Sequence, residues 1–151
     1  MRRFTIAAVS VAALALTACE SQAEREADVA EDRIEQQAET SAQTAGDTIA
    51  ALGLTERQLL DADLVTADGT DLGDVEQVRR GAGNAIEGLL VDVDNSNPDR
   101  YVVVPLTGLT TRKSGTDTDL QTTMTAEQLA ALPDAQLGAS AAPSAPAASG
   151  T

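Results

Sequence analysis

Residues 86–106, IEGLLVDVDNSNPDRYVVVPL, decide the fold. Two β-branched apolar runs stand on either side of a polar turn that contains Pro98. In the first run Leu89, Val91 and Val93 alternate with Leu90 and Asp92, so one face is apolar throughout, as in a β-strand. In the second run every position from Tyr101 to Leu106 is apolar, the pattern of a strand buried on both sides or curled into a barrel. Pro105 must fall at an edge or a bulge, because it cannot donate to a ladder. Nowhere else beyond the N-terminal segment is apolar density as high, so the neighbouring sequence must cover this hairpin or tether it.

Upstream, residues 63–67 (DLVTA) read as a strand that enters a hairpin turn at Asp68-Gly69. Residues 71–78 (DLGDVEQV) read as the strand after it, with Gly73 marking a bulge or a close backbone approach. Residues 79–84 (RRGAGN) form a loop; no Lys-Ser/Thr follows its glycines, so it is not a phosphate cradle. Downstream, residues 108–113 and 119–123 offer two short strands around a Ser114-Gly115 turn. The helix of residues 125–132 opens with a Thr125/Gln128 capping box and stops at Pro133. Strands spaced by about ten residues fit a small, mainly β sandwich or barrel.

At the N-terminus, Arg2 and Arg3 precede the apolar run of residues 6–16, IAAVSVAALAL. That run is shorter than the roughly 20 residues needed to span a bilayer, so residues 1–18 read as a signal peptide. It ends in Leu16-Thr17-Ala18-Cys19, which resembles a bacterial lipobox: a branched apolar residue, two small residues, then cysteine. The resemblance implies cleavage before Cys19 and a lipid on its thiol, hence a protein held on the membrane of the bacterial envelope and facing the periplasm in a Gram-negative cell. Each buried CH₂ of an acyl chain contributes roughly 0.8 kcal/mol, and two chains hold a protein stably. Cys19 is the single cysteine, so no disulfide supports the domain.

Residues 19–51 are rich in Ala, Glu and Gln, with Val29, Ile34 and Ile49 as the few large apolar side chains. Glu31/Glu35 and Asp28/Asp32 place like charges one turn apart. A segment so polar reads as an acidic tether, helical and solvent-facing or disordered. Residues 52–60 form the junction, with Thr55 able to cap a helical turn. The domain is expected over residues 52–137, and residues 138–151 are an Ala/Pro/Ser tail with nothing to bury.

In order, these pieces resemble the PRC-barrel family. They are Asp68-Gly69, Leu72-Gly73-Asp74-Val75, the long apolar strand of residues 86–93, Val102-Val103-Val104-Pro105-Leu106, and a closing helix with Thr125, Leu129, Leu132 and Pro133. The resemblance covers about residues 60–135 and implies a compact barrel of about six strands. The family's barrels occur in the photosynthetic reaction-centre H subunit and in a ribosome-maturation factor, where they bind other proteins, and none of its motifs is catalytic. This chain differs in being exported, acidic and nearly free of aromatics, so neither of those partners is carried over.

Composition excludes several functions. Without Arg2 and Arg3 the formal charge of −14 becomes −16, and Tyr101 is the only aromatic left once Phe4 leaves with the signal. Such a chain repels phosphate backbones and lacks bases' stacking partners, so no nucleic-acid partner is expected. There is no histidine, which removes Ser–His–Asp and HExxH chemistry, and no enzyme activity or cofactor is expected. Asp92, Asp94 and Ser96 open like an EF-hand loop, but its sixth position is Asn97 where glycine is needed, and its twelfth is Val103 where a bidentate Glu is needed. The leading expectation is a lipid-anchored, non-catalytic protein-interaction module. The alternative is an acidic module that binds a ligand or a divalent cation through Asp92, Asp94 and Asp99.

Overall fold

A computed structural model describes residues 22–137, so the segment read as a signal peptide, Cys19 and the tail of residues 138–151 lie outside the described residues. The central hairpin is β5 (Ile86–Val93) and β6 (Tyr101–Pro105). They pair antiparallel, with Leu89 opposite Val104, Leu90 opposite Val103, Val91 opposite Val102 and Asp92 opposite Tyr101. The turn closes through the Val93 amide donating to Arg100 O at 2.9 Å. Asn95 takes the left-handed conformation that Asn tolerates.

On the other side of β5 runs β4 (Asp71–Arg80), and beyond it β3 (Asp63–Val65), both antiparallel to their neighbours. The link from β3 to β4 is wider than a two-residue turn. The Thr66 amide donates to Thr70 O at 2.8 Å, and the Thr66 hydroxyl bonds Asp68 and accepts from the Thr70 amide. These side-chain bonds hold a longer loop in which Gly69 supplies the positive φ. Gly73 is the close approach its position suggests: its φ is +146°, and a Cβ there would stand 1.8 Å from Asp92 O.

β8 (Asp117–Gln121) pairs with β3 in parallel, and β7 (Thr110–Ser114) pairs with β8 across the Ser114-Gly115 turn. The result is a mainly β fold around one six-stranded mixed sheet, ordered β6-β5-β4-β3-β8-β7. Among the described residues no ladder joins β6 to β7, so the sheet has two edges. Pro105 lies on the edge strand β6, where a missing donor costs nothing. β6 is not buried on both sides along its length: Val103 and Pro105 are exposed, because none of the described residues covers the outer face beyond Tyr101.

The inner face carries the core. Leu64, Val75, Val78, Leu89, Val91, Val102, Val104 and Leu120 meet Leu59 of α2 (Glu56–Leu60) and Leu129 of α3 (Ala126–Ala130). Each such buried Leu or Val contributes about 1.5–3 kcal/mol. Both short helices begin with full capping boxes, Thr55 with Gln58 and Thr125 with Gln128. Leu52 and Gly53, both at positive φ, turn a small hairpin of β1 (Ile49–Ala51) and β2 (Leu54–Thr55).

The stretch read as an acidic tether, helical or disordered, is helical, but its helix α1 (Gln22–Ala45) is docked on the sheet and not solvent-facing all round. Ile34, Ala38 and Ala42 form a buried stripe at i, i+4 and i+8, with exposures of 5%, 4% and 3%. Ile34 packs with Leu90 and Tyr101 on the outer face of the sheet. Alanine is why the polar composition misleads: it adds little apolar area, yet its small side chain lets a helix lie close to a sheet. Gly46 ends α1 at φ +57°, its amide reaching Ala42 O. No described helix is long and apolar enough to cross a membrane.

Candidate functional site

Strand register gathers the acidic residues. Asp63 on β3 stands opposite Asp74 on β4, Asp74 opposite Asp92 on β5, and Asp92 opposite Tyr101 on β6. Leu64 is paired with Leu120 in the parallel ladder, so Asp119 comes beside Asp63, with Arg112 of β7 across from it. One row of side chains thus crosses the whole sheet on the face where Leu90 and Tyr101 meet α1. Like charges directly opposite one another destabilise a sheet.

A β-bulge between Val75 and Gln77 sharpens this face. Val75 and Val78 both enter the inner core, so the extra residue turns Glu76 and Gln77 together toward α1. The Gln77 amide donates to Gln37 Oε1 of α1 at 3.4 Å. Glu76 is half-buried; desolvation, and then the charges of Asp92, Glu35, Asp74 and Glu31, push its carboxyl above the ordinary range. Burial likewise raises Asp92, helped by Asp99, Glu31 and Asp74 and opposed by the Arg100 amide. Asp63 is raised by burial and then by Asp71, Asp74 and Asp119. The Tyr101 hydroxyl is held protonated by burial and the same carboxylates.

Of the three acidic residues singled out in the sequence, Asp92 belongs to this row, and its Oδ1 is buried with no hydrogen-bond partner. Asp99 lies near it in the turn. Asp94 is turned elsewhere: its amide donates to Leu72 O at 3.1 Å, and the charges acting on it are Asp71 and Asp74. Among the described residues no three His, Cys, Asp or Glu side chains are arranged to hold one metal ion. Asp63, Asp74 and Glu76 escaped sequence reasoning, which read Glu31 and Glu35 only as like charges one turn apart on a helix. The only available signal was that each Asp occupies a strand, and the register that aligns them is a property of the folded sheet.

The second feature is a cleft of about 920 Å³ between α1, α2 and the end of β4. Arg33, Gln36, Thr40 and Thr44 line one wall, and Glu56 and Arg80 the other. Glu56, only 1% exposed, receives a 2.6 Å bond from Arg80 Nη2, while Arg80 Nη1 donates to Asn84 O. The cleft runs on past Thr44 and Arg80 into a recess of mixed character and about 710 Å³, where Ile49, Leu52, Ile86 and Leu106 stand beside Thr48 and Asn84. Ile49 is 60% exposed there. This side, with its guanidiniums, contrasts with the acid row.

No protein-family model matches this chain, and no curated protein matches it significantly.

Proposed function

We propose that this chain is a lipid-anchored protein of the bacterial envelope whose sheet domain is a non-catalytic, protein-interaction module of PRC-barrel-like type. The observation that carries the interaction reading is the continuous cleft along α1. Its hydroxyl and amide wall suits a polypeptide backbone, the Ile49, Leu52, Ile86 and Leu106 part of its recess suits apolar side chains, and Arg33 suits a carboxylate. The six strands and the bulges that curve β4 support the barrel-like reading, and the ordered motifs from Asp68 to Pro133 support the family resemblance. Anchoring rests on Leu16-Thr17-Ala18-Cys19, and lipidation is assigned to Cys19.

Two experiments test this. Cys19→Ser moves the protein from the membrane to the soluble fraction; a variant that partitions like the parent overturns the anchor. Capture from detergent-solubilised envelopes with the parent and with Arg33→Glu/Ile49→Asp identifies a partner retained by the first and lost by the second; equal capture by both removes the cleft from the interface. The acid row favours a second reading, a module for divalent cations. Saturable calorimetric binding of calcium or magnesium that disappears in Asp92→Ala would support it.

A further inference from the structure

We infer that α1 is a charge-governed latch: carboxylates of the helix and of the sheet oppose its docking at neutral pH, and protons or screening cations close it. The geometry sets attraction and repulsion in one seam. Holding α1 down are Ile34 against Leu90 and Tyr101, the alanines Ala38 and Ala42, and the long Gln77–Gln37 hydrogen bond. That is a small cluster beside the inner core. Glu31 and Glu35 sit one turn apart on the same side of α1 as Ile34. They therefore come down on the acidic end of the sheet.

The charges that act on Glu76 there come from α1, β4 and β5. They are Glu31 and Glu35 from α1, Asp74 from its own strand, and Asp92 from β5. Tyr101 from β6 carries no charge, Asp99 acts through Asp92, and Asp63 lies beyond Asp74. Arg79, further along β4, donates through Nη1 to Gln77. Asp134, near Tyr101, is already bonded to Arg100 at 2.5 Å. Docking thus brings two helix carboxylates against a row that already repels itself, and any proton taken up there favours the docked state.

The hinge is short: Gly46, Asp47 and Thr48 join α1 to β1. A 24-residue helix is about 36 Å long, so release would lengthen the domain's reach by a distance of that order. The consequence for reach rests on the anchored reading, since Gln22 follows three residues after Cys19. The latch itself does not.

Hydrogen exchange of the full chain in detergent micelles, corrected for intrinsic rates, tests the latch. Protection of amides in residues 31–42 should rise about fivefold as pH falls from neutral through the raised carboxylate values, in the range of like-charge repulsion across strands. β5 amides should change far less. Glu76→Gln should raise protection of α1 at the higher pH and flatten the response; Glu35→Gln, on an exposed helix position, should do the same without touching the sheet. Protection that is independent of pH, or unchanged in both variants, overturns the latch. The same measurement on Cys19→Ser should show the same response, so a failed anchor and a failed latch are told apart.

Discussion

On its inner face the sheet presents Leu64, Val75, Leu89, Val91 and Leu120; on its outer face the same strands present Asp63, Asp74, Leu90, Asp92 and Asp119. Alternation guarantees two faces, but not how each is held. The inner face is closed by α2 and α3 with continuous apolar contact and capped helix ends. The outer face is closed in part by α1, through one isoleucine and two alanines amid carboxylates. Cooperative stability therefore belongs to the inner face, and adjustable structure to the outer one.

The sharpest way to break this contrast is Leu89→Ala. Leu89 is fully buried, so its loss should cost about 2–5 kcal/mol in urea unfolding. Next comes Arg80→Ala, which strands the buried Glu56 carboxylate without its partner; about 1–3 kcal/mol is expected, exceeding the cost of Glu56→Gln, because Arg80 is 25% exposed and can be solvated alone. Ile34→Ala should barely move the main unfolding midpoint but reduce helical circular dichroism, as α1 detaches while the sheet persists. A single unfolding transition shifted as far as that of Leu89→Ala would join the two faces into one cooperative unit.

The smallest effect has the opposite sign. Asp74→Asn removes a charge that faces both Asp63 and Asp92, and should stabilise the protein by a few tenths to about 1 kcal/mol at neutral pH. The pH dependence follows. Asp63, Glu76 and Asp92 have raised values in the folded protein, so the folded state binds protons that the unfolded chain, titrating near its ordinary 3.8 or 4.5, has already lost. Stability from this face is gained as pH falls through the raised values and is lost as pH rises through them. Asp68 and Glu127 are lowered by the Thr66 and Thr125 hydroxyls and act in the other sense, but they stand in water. Urea midpoints should rise as pH falls from neutral through the raised values, with a smaller rise in Asp74→Asn.

Much of the inner face was legible in the sequence. β5 spans the residues that alternation marks, β6 begins at Tyr101, and both capping boxes form where Thr55 and Thr125 announce them. These are local properties, settled within a few residues. The outer face was not legible, because it depends on pairings between distant strands. The parallel match of β3 with β8 brings Asp119 to Asp63 across more than fifty residues, and the bulge after Val75 reverses which side Glu76 and Gln77 occupy. Ala38 and Ala42 gave no hint of docking, since alanine suits a solvated helix equally well. Asp92, Asp94 and Asp99 look like one cluster in sequence; alternation and the turn divide them between two neighbourhoods.

Tyr101 is a meeting point of distant parts of the described chain. Ile34 reaches it from the beginning of the described chain, and Ala135 from its end, the Ala135 amide donating to Tyr101 O at 2.7 Å. Arg100 reinforces that second approach through Ala130 O, Leu132 O and Asp134. With no tryptophan and no second tyrosine in the sequence, Tyr101 is also the chief intrinsic fluorophore. The protein therefore carries its own optical gauge: quenching or brightening of that one phenol reports, without any label, whether the two ends of the fold are seated.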